Sequence, residues 1–168
     1  VITGTVTPIS VDTTAPTIVS LNPTDDATNV AIDSDLVLNF DENVKKGTGN
    51  ILLKKSSDNS TVQTIDVTGA DVSISNKVVT INPPADLANS TGYYVELAPG
   101  VITDIAGNDF AGISGATSWN FTTAVPSYNI VVTQPTGGSI SPSGTISTLE
   151  GSNKVFSTIA SSSCYTFD

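Results

Sequence analysis

Short runs of β-branched and aromatic residues return roughly every ten residues, each closed by Gly, Pro, Asn or Asp, the spacing of a sandwich or barrel of short strands. Thr17 to Leu21 reads as the first firm strand, introduced by Ala15-Pro16. Leu36, Leu38 and Phe40 alternate with polar Asn39 on the next, which stops at Asp41-Glu42-Asn43. Ile51 to Lys55 and Val62 to Val67 follow. Val72 to Ile81 reads as a hairpin turning at Asn76, a residue that tolerates left-handed backbone, and Pro83-Pro84 ends it. Ala85 to Asn89 has helical character for one turn at most. Tyr93, Val95 and Leu97 alternate with Tyr94 and Glu96, Pro99-Gly100 opens a long loop, and Trp119 and Phe121 share one face of a strand ending near Thr123.

Two further blocks flank this one. Residues 125–127, after Ala124, read as a linker. A second unit starts at Tyr128, where Tyr128, Ile130 and Val132 alternate; Gly137-Gly138 turns the chain and Val155 to Ile159 offer another strand. Residues 128–168 are too few for an independent β-domain without staples, so a truncated and less stable module is expected there. Residues 1–11, rich in β-branched types, read as the last strand of a preceding module, a linker or an added edge strand.

Composition narrows the chemistry. The chain has no His, so Ser/His/Asp and Cys/His nucleophile arrangements cannot be assembled within it. Cys164 alone cannot furnish a structural zinc site or a disulfide framework, and any metal must be oxygen-bound. With 16 acidic residues against 6 basic ones, all Lys, the formal charge is -10, which argues against nucleic acid. No apolar run approaches the roughly 20 residues of a membrane helix.

The order of five blocks adds a resemblance. Asp12-Thr13-Thr14-Ala15-Pro16-Thr17-Ile18-Val19-Ser20-Leu21-Asn22-Pro23, Leu38-Asn39-Phe40-Asp41-Glu42-Asn43-Val44, Gly92-Tyr93-Tyr94-Val95, Asp104-Ile105-Ala106-Gly107-Asn108 and Trp119-Asn120-Phe121-Thr122-Thr123 together resemble bacterial immunoglobulin-like domains of the S-layer and surface-adhesin type. Gly137-Gly138-Ser139-Ile140-Ser141-Pro142-Ser143-Gly144 looks like the start of the glycine-rich repeat of internalin-like surface proteins. The resemblance implies an all-β, Ig-like Greek-key sandwich of about seven strands over residues 12–124, followed by a partial second β-module. It implies a non-catalytic spacer of a secreted or cell-surface protein, whose partners are neighbouring modules of the same polypeptide and cell-surface or matrix carbohydrate or protein. The alternative is a carbohydrate-binding sandwich module.

Acidic residues are the remaining chemistry. In such a sandwich the loop over residues 41–48, the loop over residues 100–116 and the start of the first strand lie at one pole. Asp12, Asp41, Glu42, Asp104, Asn108 and Asp109 are therefore the candidate ligands of a Ca²⁺ ion. The competing reading has Asp104 and Asn108 bonding within their own loop, with Gly107 supplying positive φ. Asp25, Asp26, Asp33 and Asp35 gather toward the other pole, as a second calcium site or as solubilising surface charge. Glu42 and Asp104 as a glycosidase pair lack a cleft of sugar-stacking aromatics. Trp119 is expected in the core, Tyr94 on the surface, and the Lys45-Lys46 and Lys54-Lys55 pairs as charges that discourage edge pairing.

Overall fold

Strand β3 (Leu36–Phe40) shows how the sequence makes its layers: Leu36, Leu38 and Phe40 are buried while Val37 and Asn39 face partly outward. The computed structural model describes residues 11–161. The expectation for residues 1–11 falls outside the described residues, Val11 apart, and so does that for Cys164. The chain divides between Ala124 and Val125 into two units.

In the first unit, β3 is joined by β1 (Ile18–Asn22), β2 (Ala27–Val30), β4 (Val44–Lys46), β5 (Asn50–Lys55), β6 (Thr61–Asp66), β7 (Val72–Ser75), β8 (Val78–Ile81), β9 (Gly92–Leu97), β10 (Ile102–Asp104) and β11 (Asn120–Thr123). One sheet has the order β1-β3-β8-β7 and the other β2-β11-β9-β5-β6. The first is the A-B-E-D order of an immunoglobulin sandwich, and the second carries its G-F-C strands at the centre. The pairs are antiparallel except β2 with β11, which run parallel, Phe121 opposite Ala27 and Thr123 opposite Val30. A short ribbon of β4 and β10 stands apart, with Val44 opposite Asp104.

The inner faces of the two sheets meet in one apolar cluster. Leu38, Phe40, Val79 and Ile81 come from one side; Ile51, Leu53, Tyr93, Val95 and Phe121 from the other. Each such side chain contributes about 1.5–3 kcal/mol by leaving water. Phe110 closes one end edge-on against Phe40, with ring centroids 5.1 Å apart and an interplanar angle of 84°. Trp119, Phe121, Phe40, Leu38, Tyr93 and Val95 are all buried, as their alternation predicts.

Three strands go beyond the expected set: Ala27–Val30, Val44–Lys46 and Ile102–Asp104. Each is too short to show an alternation of its own, and pairing with a distant segment makes it a strand. The hairpin of β7 and β8 turns at Asn76, whose φ is 54°. Residues 85–89 form no helix; the Leu87 N–H is instead drawn to the Ile32 carbonyl, 2.8 Å away. No helix among the described residues is long and apolar enough to cross a membrane.

The second unit is built of β12 (Ser127–Val132), β13 (Gly138–Ser141), β14 (Gly144–Leu149) and β15 (Ser157–Ala160). They form two antiparallel ribbons, β12 with β14 and β13 with β15. Gly138, read as a turn residue, opens β13; the turn lies at Thr136 and Gly137, and Gly137 holds the positive φ of 102°.

Candidate functional site

The β4–β10 ribbon is what assembles the acidic pole. Its pairing ties the segment after β3 to the segment after β9 and sets Glu42 beside Asp104. Carboxylate oxygens of Asp12, Glu42 and Asp104 all lie within 4.8 Å of one another. Asp12 is exposed, Glu42 half-buried and Asp104 fully buried. These are three of the six residues the sequence nominates.

Asp104 is also the organiser of its own loop. Its Oδ1 accepts the N–H groups of Gly107 (2.5 Å) and Asn108 (2.7 Å), and its Oδ2 accepts Nδ2 of Asn108 at 2.7 Å. Gly107, at φ 101°, allows the chain to turn back over the carboxylate. Burial works against the charge on Asp104. The bonds from the Asn108 side chain and backbone and from Gly107 outweigh it, Lys45 adds to them, and the carboxyl stays below its ordinary range. Asn108 donates to the Asp12 carbonyl as well, at 3.2 Å, and so fastens the incoming chain to this loop.

Asp41 has a different occupation. It accepts the Thr17 N–H at 2.8 Å and the Thr17 hydroxyl at 2.7 Å, clamping the start of β1. Those two bonds, backbone first, hold its carboxyl below the usual range. Asp109 is exposed, its carboxylate lying against Gly100 outside the trio. Glu42 stands out electrostatically. Burial first, then the charges of Asp104, Asp12 and Asp41, push its carboxyl up, with only Lys77 opposing. Lys45 and Lys77 donate to the Ile105 and Asp41 carbonyls, at 3.0 and 2.6 Å. These two lysines brace the pole, a role that strand-end charge in the sequence does not reveal.

The other acidic group disperses. Asp25 accepts the Asn120 N–H and side-chain amide at 2.9 and 3.0 Å, and Asp26 takes φ 61° with its N–H on the Asn120 carbonyl. Asp33 and Asp35 are exposed. Among the described residues these four do not form a cluster with a shared centre.

The outer face of the five-stranded sheet corrects one expectation. Tyr94 does point away from the core, yet only 2% of it is exposed. Its hydroxyl donates to Asn59 Oδ1 at 3.0 Å, and Lys54 lies over its ring with Nζ 5.4 Å from the centroid. Lys54 sits directly across from Tyr94 in the β5–β9 register, so the long side chain folds over the ring. The same lysine pairs with Glu96 at 3.0 Å. A shallow cavity of about 440 Å³ opens nearby between Leu52, Glu96, Pro99, Ala111 and Ile113, with no aromatic side chain in its wall.

A sequence model of the bacterial Ig-like domain matches residues 12–123. The chain belongs to this family. The match to the bacterial Ig-like domain takes in both sheets and the acidic pole and ends before the second unit. Among solved structures, this Ig-like chain is similar to CopC from Methylosinus trichosporium OB3b, at 19% identity and a TM-score of 0.45 over 65% of this chain and 93% of that one. It is also similar to the N-terminal part of the bacterial S-layer protein SbsC, at 12% identity and a TM-score of 0.46, over 88% of this chain and 44% of that one. The S-layer protein rSbsC(31-844) gives 13% identity and a TM-score of 0.43, over 88% of this chain and 26% of that one. The chain thus spans less than half the length of either S-layer structure. No curated protein matches the sequence.

Proposed function

We propose that this chain is a non-catalytic spacer of a secreted or cell-surface bacterial protein, supporting adhesion by setting the distance and angle between its neighbouring modules. Residues 128–168 then belong to a glycine-rich repeat of the same polypeptide. Membership of the bacterial Ig-like family supports the spacer reading, as does a residue inventory without His or a reactive Cys motif. The carbohydrate-binding alternative loses its surface aromatic in the first unit, because Tyr94 is covered by Lys54 and Asn59.

The same proposal assigns a Ca²⁺ ion to Asp12, Glu42 and Asp104. The observation that carries it is three carboxylates converging within 4.8 Å at the pole where the chain enters the domain. Lys45 acts on Asp104 and Lys77 on Glu42 only at a distance, and among the described residues no lysine is in an ion pair with any of the three. Hard carboxylate oxygens suit Ca²⁺, and an ion shared by Asp12 and Asp104 would stiffen the junction with a preceding module.

Thermal melts test it. Extracellular modules bind Ca²⁺ at roughly 10⁻⁴ to 10⁻³ M, so about 1 mM Ca²⁺ stabilises by roughly 0.4–1.4 kcal/mol. That shift is a few degrees in Tm, with a smaller effect from Mg²⁺. Asp12→Asn should abolish the shift and Asp25→Asn should keep it. Identical melts in EDTA and Ca²⁺ would leave the pole as a hydrogen-bonded turn.

A further inference from the structure

Asn59-Ser60-Thr61, Asn89-Ser90-Thr91 and Asn120-Phe121-Thr122 all have the form Asn-x-Ser/Thr without Pro in the middle. That triplet is the acceptor pattern for an N-linked glycan, read through the asparagine amide and the hydroxyl two residues on, and it works from an accessible loop. The fold treats the three unequally.

Asn120 lies half-buried in β11, with its Nδ2 on Asp25 Oδ1 at 3.0 Å and its neighbour Phe121 in the core. Asn59 is exposed, but its Oδ1 accepts the Tyr94 hydroxyl at 3.0 Å, and Thr61 opens β6 opposite Lys54. Asn89 belongs to the segment of residues 82–91 that joins β8 to β9, where Leu87 alone is buried. Asn89 and Ser90 are exposed on a turn, and among the described residues the Asn89 side-chain amide makes no hydrogen bond. Thr91 turns its hydroxyl back onto the Asn89 carbonyl at 2.8 Å, so the two groups of the triplet share one turn. The Ser90 N–H on the Ala124 carbonyl (3.1 Å) and the Thr91 N–H on the Thr123 hydroxyl (3.0 Å) hold that turn at the end of β11 by its backbone, leaving the Asn89 amide free.

We propose that Asn89 is the acceptor of an N-linked glycan and that Asn59 and Asn120 are not. The donor class is a sugar activated as a glycosyl diphosphate, nucleotide-linked or lipid-linked. Asn89 Nδ2 bonds to the anomeric carbon as the carbon–oxygen bond to the diphosphate breaks. The diphosphate leaves with the electron pair, and the amide nitrogen gives up one proton to a base of the transferase. The proposal rests on the cell-surface reading, which brings the chain to a glycan-transfer machinery, and it is independent of the calcium reading.

The test is peptide mapping of the whole polypeptide recovered from the cells that make it, after separating envelope and medium from cytoplasm. Cleavage after Lys77 and Glu96 isolates residues 78–96, in which Asn89 heads the only such triplet without a middle Pro. That peptide should carry added sugar mass on Asn89, a single residue for a nucleotide-linked donor and a longer chain for a lipid-linked one, while the peptides holding Asn59 and Asn120 carry none. Thr91→Ala and Asn89→Gln should each remove the mass, Thr91→Ser should keep it, and Asn59→Gln should not change it. An unmodified Asn89 in chain recovered outside the cell would overturn the proposal and leave the surface reading standing. Chain confined to the cytoplasm would overturn both. Sugar on Asn59 or Asn120 in place of Asn89, or sugar on Asn89 that survives Thr91→Ala, would overturn the assignment as well.

Discussion

Trp119 donates its indole N–H to the carbonyl of Pro23, 2.8 Å away and 96 residues earlier in the chain. The ring is fully buried, so this bond satisfies the one polar group that burial of a tryptophan strands, and it pins the β1–β2 connection to the start of β11. Trp119→Ala should cost about 3–5 kcal/mol, from lost transfer energy and the cavity left behind. Trp119→Phe should cost less but leave the Pro23 carbonyl unpaired. Denaturant unfolding measures both. Native tryptophan emission should be blue-shifted; emission matching the unfolded chain would contradict the placement.

Thr123 makes a second polar tie inside the sandwich. Its buried hydroxyl donates to the Ala88 carbonyl at 2.6 Å and accepts the Thr91 N–H at 3.0 Å. Thr123→Val keeps the shape and orphans both partners, which should cost about 1–3 kcal/mol. Thr123→Ser keeps the hydroxyl and should recover most of the loss. Equal midpoints for Val and the parent would mean that water replaces the bonds.

Two glycines with positive φ should respond differently to the same change. A Cβ on Gly112, at φ 86°, would lie 2.4 Å from the Leu97 carbonyl oxygen, whereas one on Gly107, at φ 101°, meets nothing within 4 Å. Gly107→Ala bears conformational strain alone, about 1 kcal/mol or a little more. Gly112→Ala adds a backbone clash where Leu97 and Ile113 exchange hydrogen bonds of 3.0 and 2.9 Å, so its Tm should fall distinctly further. Paired melts decide it.

Acid should act on the domain in two senses. Asp41, Asp58, Asp66 and Asp104 are held below the ordinary aspartate value of 3.8, and Glu96 below 4.5. Their contribution is complete above those values and is lost as pH falls through the lower folded ones, so stability should drop below about pH 4. Glu42 runs the other way. Its carboxyl is raised above 4.5, so its charge opposes folding at neutral pH, and that penalty disappears as pH falls through the folded value. Glu42→Gln should therefore raise Tm at about pH 7 in EDTA and give no gain at about pH 3. A gain equal at both pH values would show that packing, not charge, sets the effect.

The sandwich was legible because its long strands carry their burial in their own alternation, as at Leu36, Leu38 and Phe40 or Tyr93, Val95 and Leu97. Val44–Lys46 and Ile102–Asp104 were not, since three residues hold no period and their pairing is decided by residues far away in the chain. That missing ribbon is why the sequence nominates six residues at the acidic pole without separating the converging Asp12, Glu42 and Asp104 from Asp41, which Thr17 occupies. Tyr94 shows the same limit. Alternation gives its face correctly but says nothing of Lys54 and Asn59, neighbours supplied by register.

The parallel pairing of β2 with β11 also fixes how the first unit answers to tension. The chain enters beside Asp41, past the end of β3, and leaves beside Val30, before the start of β3, so the two attachment points lie at opposite poles. A pull on both ends draws β2 backward and β11 forward. The pairings of Phe121 with Ala27 and of Thr123 with Val30 are then loaded together in shear, whereas an antiparallel pair pulled from one end would unzip rung by rung.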